Sequence, residues 1–191
     1  MKTTLIAAAL LALAAQVQAA QYTGAQGTAA VDASFVTASE LFFDLEFATR
    51  GSVTLNFTVE AQDLASPLLS FNSVVRNLSG LGFGDVSVQL DGASFSLPQG
   101  TVTTDGFQAV QSWGGNSSAL WAQFGGPGVT TEFYIGNPLL QAGAGDWTLD
   151  LSGRQVGDVF SITVAVPEPQ TYALMLAGLA AVGWVARRRK V

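Results

Sequence analysis

The chain lacks several residue types on which enzymes commonly depend. It contains no cysteine and no histidine in 191 residues, and its only lysines, Lys2 and Lys190, lie close to the two ends. These absences exclude disulfide scaffolds, thiolate or imidazole metal sites, and nucleophilic centres that need a histidine or lysine base. The sequence therefore predicts no catalytic centre of these types, no metal site and no cofactor.

Positive charge is also scarce in the middle of the chain. Between Ala20 and Val166, three arginines stand against thirteen carboxylates, which leaves a net charge of −10. Such a field repels phosphate backbones, so nucleic-acid binding is not expected. The lack of disulfides is compatible with export, because a segment of this length can bury an adequate core without them.

The N-terminal segment has the pattern of a cleavable leader. Lys2 precedes the apolar run Leu5–Ala15, and small residues follow at the −3 and −1 positions of a cut after Ala19. A short apolar run that ends at such a site is typical of a secretory signal peptide. We predict a signal peptide over residues 1–19, handled by the Sec translocon and signal peptidase. Cleavage after Ala20 and an uncleaved anchor are the alternatives.

A second apolar run, Tyr172–Ala186, lies near the C-terminus and has no charge in 15 residues. As a helix it is about 22 Å long, and local bilayer thinning and snorkelling basic side chains can make up the difference from a core of roughly 30 Å. The basic cluster that follows predicts a cytoplasmic C-terminus in the inner membrane. The predicted anchor residues are Tyr172, Leu174, Leu176, Leu179, Val182 and Trp184, and the topology signal is Arg187, Arg188, Arg189 and Lys190.

A Pro-Glu-Pro tripeptide precedes this run. Pro167 and Pro169 lack backbone donors and favour extended structure, so the segment cannot join the helix and stays accessible to a processing enzyme. An ordinary stop-transfer anchor is one interpretation. However, Val166-Pro167-Glu168-Pro169, then Gln170–Leu179, then Arg187–Lys190 together resemble the PEP-CTERM sorting signal of Gram-negative bacteria. The resemblance is confined to about residues 166–190. It implies recognition and cleavage by an exosortase in organisms that make exopolysaccharide, with Pro167, Glu168 and Pro169 as the sorting motif.

Residues 20–166 show the alternation of β-strands. Phe43, Leu45 and Phe47 fall on one face of a strand, and Asp44 and Glu46 fall on the other. Turn signals recur about every ten residues, which favours an all-β domain, an antiparallel β-sandwich or jelly roll, followed by a single C-terminal transmembrane helix. Further strand candidates are Val53–Val59, Asp85–Leu90, Ala93–Leu97, Phe107–Trp113, Ser118–Phe124, Val129–Ile135, Trp147–Leu151 and Val159–Val166.

Two stretches have weaker patterns. Ser66-Pro67 with Gly80 suits the two ends of a helix, whereas frequent Ser and Asn between them favour a strand. We predict a strand there and keep the helix as the alternative. Gln21–Ala30 is small and polar, and we predict a flexible lead-in.

Three sets of side chains are candidates for chemistry or binding. Asp44 and Glu46 lie about 7 Å apart on one strand face, a spacing that a carboxylate-dependent glycoside hydrolase could use, although a solvated face is the favoured interpretation. Asp146, Asp150 and Asp158 suggest a calcium site, for which surface charge is the favoured alternative. Exposed tryptophans can stack on sugar rings, whereas core packing explains most aromatic residues here. The candidate carbohydrate contacts are Trp113, Trp121 and Trp147.

Together these features divide the chain into a signal peptide (1–19), an exported domain (20–166) and a sorting signal (167–191) with a transmembrane helix at 172–186 and a basic tail at 187–190. We expect a non-enzymatic envelope or extracellular-matrix protein, held briefly in the inner membrane and then released to the cell surface or matrix. Its expected partners are exosortase, signal peptidase, the Sec translocon and exopolysaccharide. A carbohydrate-binding module is the first alternative and the hydrolase the second.

Overall fold

The computed structural model describes residues 20–80, 82–106, 109–125, 130–167, 177–180 and 187. The predicted signal peptide lies outside these residues, as do Phe107 and Val129 at the starts of two predicted strands. The strands of the first half are β1 (Gln21–Gly27), β2 (Ala29–Asp32), β3 (Glu40–Phe47), β4 (Gly51–Thr58), β5 (Leu68–Asn77) and β6 (Asp85–Asp91), with a short helix α1 (Ala61–Ala65). Those of the second half are β7 (Ser94–Phe95), β8 (Val102–Thr104), β9 (Val110–Gly115), β10 (Ala119–Phe124), β11 (Glu132–Ile135), β12 (Trp147–Asp150) and β13 (Val159–Val166).

The strands form two sheets. The first sheet is antiparallel throughout, in the order β1-β4-β13-β6-β10-β9. The second runs β2-β3-β5-β11-β8, and β12 pairs with β5 and β7. Within it β3 and β5 are parallel. A parallel pair needs a long connection, which the chain provides by passing through β4 in the other sheet and then α1.

The inner faces of both sheets share one hydrophobic core. Along β3 every second residue is buried, and Phe43 contacts Phe57 of β4 across the core with ring centroids 5.8 Å apart. Phe57 in turn stacks on Phe160 of β13 at 4.8 Å. At the other end Phe124 of β10 meets Phe133 of β11 at 4.9 Å. Because alternate residues of the paired strands are apolar and face inward, the two sheets enclose an aromatic layer. Their outer surfaces are polar.

The prediction of a β-rich fold is confirmed, with three differences in detail. The ambiguous stretch at 66–80 contains the strand β5, and the helical alternative is wrong there. The purely antiparallel arrangement is wrong at the β3–β5 pair. The flexible lead-in is also wrong, because Gln21–Ala30 contains β1 and the start of β2. Small residues suit β1: at Gly27 a side chain would collide with the backbone of Ser52, since an added Cβ would lie 2.1 Å from its carbonyl oxygen.

Candidate functional site

The junction between the β-rich part and the C-terminal segment lies at the end of β13. Val166 is fully buried and pairs with Gly51, whereas Pro167, the next residue, is exposed. Proline has no backbone N–H to continue the ladder, so β13 ends where the sorting motif begins. Glu168 and Pro169 lie outside the described residues.

The predicted anchor is described only in part. Residues 177–180 are helical, and Leu179 is 62% exposed; Arg187 is also helical and exposed. The described part of the chain includes no helix with the length and apolar character needed to cross a membrane. The other predicted anchor and topology residues lie outside the described residues: Tyr172, Leu174, Leu176, Val182, Trp184, Arg188, Arg189 and Lys190.

Trp147 cannot contact a carbohydrate in the folded protein. Its side chain is fully buried on β12, and its indole N–H donates to the carbonyl oxygen of Thr101 at 3.0 Å. The ring packs against Phe95 and Trp113, with centroids 5.1 and 6.2 Å away. The prediction of a surface role for Trp147 is therefore wrong. Alternation along a short strand does not tell which of its faces the core will cover.

Trp113 and Trp121 lie on opposite faces of the first sheet. Trp113 pairs with the buried Ala122 and packs edge-to-face on Trp147 at the rim of the core, so it is 39% exposed. Trp121 pairs with Gly114 and Ser87 on the outer face and is 45% exposed. Paired residues share a face and neighbours along a strand do not. The three candidate tryptophans thus form no common platform, and Trp121 alone projects from the outer face.

The surface around Trp121 is polar and carries little charge. Its ring lies over Gly114, where an added Cβ would be 3.3 Å from the ring carbon Cζ2. On β6 the outward carboxylates, Asp85 and Asp91, stand only at the two ends of the strand. Hydroxyl and amide side chains occupy the area between: Ser52, Thr54, Asn56, Thr58, Ser87, Gln89, Gln123, Ser161 and Thr163. In a strongly acidic protein this face is an area of nearly zero charge.

The candidate carboxylates Asp44 and Glu46 lie on the outer face of the second sheet, beside a cleft of about 240 Å³. Asp32 of β2 stands directly opposite Asp44. The guanidinium of Arg76 donates to Asp44 and lies 3.6 Å from Glu46. Hydrogen bonds from the side chain and then the backbone N–H of Ser34 lower the pKa of the Asp32 carboxyl. The structure therefore brings the two candidates together, but as members of an ion-pair cluster.

Arg76 joins three strands of the second sheet. Besides Asp44 of β3, its Nε donates to Glu132 of β11 at 2.9 Å. The bond to Asp44, then the contact with Glu132, raises the pKa of Arg76. The hydroxyl of Tyr134 donates to Glu132; burial and this carboxylate raise the pKa of Tyr134 to about 12. Because the guanidinium is 37% exposed, each ion pair contributes about 1 kcal/mol or less.

Sequence reasoning did not single out Arg76. Its partners come from strands 32 and 56 residues away along the chain, so no local spacing marks them. The one available signal was its rarity, since residues 20–166 contain only two other cations, Arg50 and Arg154.

The three aspartates of the suggested calcium site have separate hydrogen-bond partners. Asp146 accepts from Ser70 at 2.6 Å and from the backbone N–H of Asn137 at 2.8 Å. Asp150 accepts from the N–H of Ser152, and Asp158 from the N–H of Gln155. Within the described residues no group of three or more acidic side chains is arranged to hold a metal ion. Asp150 and Asp158 instead stabilise their own turns, and Asp146 links its loop to Ser70 of β5.

These features define a β-rich protein whose last core strand leads directly into a C-terminal sorting segment. Residues 165–190 match the family model of the PEP-CTERM protein-sorting motif. The motif indicates exosortase-dependent sorting of an exported protein, with transient membrane anchoring before processing. No curated protein and no solved structure matches the chain. The identification therefore applies to the segment and assigns no activity to the β-rich part.

Proposed function

We propose that this chain is a non-enzymatic envelope or extracellular-matrix protein that is exported, cleaved by an exosortase and delivered to the exopolysaccharide layer. The carrying observation is the match at 165–190, which begins at the last residues of β13. In this proposal residues 1–19 are a signal peptide, 20–166 a β-sandwich of jelly-roll type, and 172–186 a temporary transmembrane helix. The basic tail stays in the cytoplasm.

The exposed position of Pro167 supports processing of the folded protein. The core ends at Val166, so a cut on the C-terminal side of the motif removes no core strand. The β-rich part then leaves the membrane with both sheets intact. A cut further upstream would remove residues of β13, which pairs with both β4 and β6 in the middle of the first sheet.

Composition and geometry both support a non-enzymatic role. Residues 20–166 contain no histidine, cysteine or lysine. The remaining candidate pair, Asp44 and Glu46, contacts Arg76, which also contacts Glu132. A cation that bridges strands in this way is the arrangement of a structural ion-pair cluster, whereas a glycosidase needs one carboxyl that keeps its proton to act as an acid.

The decisive comparison uses the native host with and without its exosortase gene. With the enzyme, we expect the mature protein to lack the C-terminal tail by intact mass and to fractionate with the cell surface or matrix. Without it, the protein should keep Arg187–Val191 and sediment with the inner membrane. The same mass and location in both strains would refute the proposal.

A carbohydrate-binding role is the second candidate, and Trp121 favours it. An exposed indole flanked by hydroxyl and amide groups offers one stacking surface and many hydrogen-bonding partners. The absence of charge between the ends of β6 suits a neutral polysaccharide better than an anionic one. Trp113 lies on the opposite face and belongs to the rim of the core.

This second candidate predicts that Trp121→Ala lowers the affinity for the host's neutral exopolysaccharide by about tenfold, or about 1.4 kcal/mol. Trp113→Phe is the matched control, since it changes a tryptophan of similar exposure on the other face and should keep affinity unchanged. Retention of each processed protein on immobilised polysaccharide measures the effect. Equal retention of all three proteins, or none by the unmodified protein, would exclude this role.

A further inference from the structure

The backbone nitrogen of Ala20 lies against a buried carboxylate. Ala20 is fully buried in the core cluster, and its nitrogen donates to Oδ1 of Asp63 at 2.9 Å. Asp63 is only 1% exposed. The two residues are 43 positions apart, so this contact depends on the tertiary fold.

Two elements hold the carboxylate in place. Strand β1 begins at Gln21, which pairs with Thr58 at the end of β4, so Ala20 lies beside the start of α1. The second oxygen of Asp63 accepts the N–H of Glu60 at 2.6 Å in the capping box of α1. Both Asp63 oxygens therefore have fixed donors, and one of these donors is the nitrogen of Ala20.

The site lacks a positive charge. None of the ion pairs found among the described residues involves Asp63. A carboxylate removed from water is stable only when hydrogen bonds and an opposite charge replace its hydration. Two neutral N–H donors supply the hydrogen bonds and leave the charge uncompensated. A cation at the position of the Ala20 nitrogen would complete the site.

We propose that signal-peptide removal supplies this cation: hydrolysis of the Ala19–Ala20 bond leaves an α-ammonium on Ala20 that binds Asp63. The proposal rests on export through the predicted leader. Signal peptidase breaks the C–N bond with water, the new carboxylate leaves with Ala19, and the amine of Ala20 takes up a proton. The hydrogen bond at 2.9 Å then becomes a charge-assisted one.

The same geometry distinguishes the two candidate cleavage sites. A cut after Ala19 keeps the nitrogen that contacts Asp63. A cut after Ala20 removes it and makes Gln21 the first residue, one position further along β1. The mature chain therefore begins at Ala20, and its first residue is part of the folded core.

The composition provides a specific chemical readout. Residues 20–166 contain no lysine, so the α-amino group of Ala20 is the sole amine of the exported part. Trypsin cleavage after Arg50 places the Ala20 amine and the Lys190 side chain on different peptides. An amine-acylating reagent is applied to processed protein from the exporting host, native or unfolded in urea, and labelling is followed by mass spectrometry. Buried amines react only when the site opens.

Native wild-type protein should begin at Ala20 and label at least about tenfold more slowly than unfolded protein. Asp63→Asn should remove most of this protection, and Asp63→Glu should keep part of it. Asp150→Asn is the control, because Asp150 also accepts a backbone N–H but at the surface. It should label as wild type does.

Each other outcome is decisive. A mature chain that begins at Gln21, or a native wild-type amine that labels as fast as the unfolded one, overturns this proposal while export stands. Equal protection in wild type and Asp63→Asn overturns it as well. A protein that keeps residues 1–19 in exporting cells overturns both this inference and the proposed export.

Discussion

Replacement of Pro167-Glu168-Pro169 by Ala-Gly-Ala is expected to abolish removal of the C-terminal tail. The protein should then accumulate in the inner membrane with its C-terminal tail still attached. The physical reason is conformational as well as chemical. Both prolines restrict the backbone to extended structure and cannot enter a helix, whereas Ala-Gly-Ala allows many conformations and offers no carboxylate for recognition.

The fold allows this replacement to be made without a change in the core. Pro167 is exposed and follows the last buried residue of β13, so changes from this position onward leave the core contacts of Val166 in place. We expect the melting temperature of the β-rich part to stay unchanged. Two variants serve as controls. Glu168→Gln separates the charge from the prolines, and Pro138→Ala removes a proline from an unrelated loop. Normal tail removal in the triple variant would contradict the role of the motif.

Trp147→Ala is expected to lower the free energy of unfolding by about 3–5 kcal/mol. The indole is fully buried and contacts the rings of Phe95 and Trp113. Its loss leaves a cavity and removes one of the two hydrogen bonds to the carbonyl oxygen of Thr101, which also accepts the N–H of Gly136 at 2.8 Å. Gly100 and Gly115 line this space, and neither has a side chain that could fill it. An added Cβ at these positions would lie 2.6 and 2.9 Å from the nearest ring carbon of Trp147.

Urea denaturation of the processed protein measures this loss. Trp147→Phe keeps a ring in the cavity and removes the N–H, so we expect an intermediate effect. Trp121→Ala is the matched control: it removes the same side chain from the outer face and should change stability by about 0.5 kcal/mol or less. Equal effects of Trp147→Ala and Trp121→Ala would show that Trp147 is not part of the core.

Local patterns predicted most of the β-rich part. The predicted strand Val159–Val166 has the bounds of β13, and the predicted strands Val53–Val59 and Asp85–Leu90 differ from β4 and β6 by a few residues. The alternating residues Phe43, Leu45 and Phe47 lie in β3. These strands alternate strongly because one face is buried and the other is solvated. The edge strand β1 was missed because small polar residues carry no such contrast. In the central strand β5 both faces are largely buried, which removes the alternation.

The candidate sites also differ in whether short-range sequence patterns could reveal them. The sorting motif is contiguous, so its residues needed no fold to be found. The tryptophans were all visible in the sequence, but the pairing of Ala122 with Trp113 and of Gly114 with Trp121 placed them on different faces. Arg76 and Asp63 were not singled out at all, because each gains its role from a partner more than 30 residues away.

The sequence by itself determined the sorting segment, the strong acidity of residues 20–166 and the absence of histidine, cysteine and lysine chemistry there. These are properties of composition or of short contiguous runs, and no folding changes them. Only the tertiary structure decided that Trp147 lies in the core, that Arg76 holds Asp44, and that the nitrogen of Ala20 meets Asp63. Such contacts arise from strand register and from the packing of two sheets, which join residues far apart along the chain.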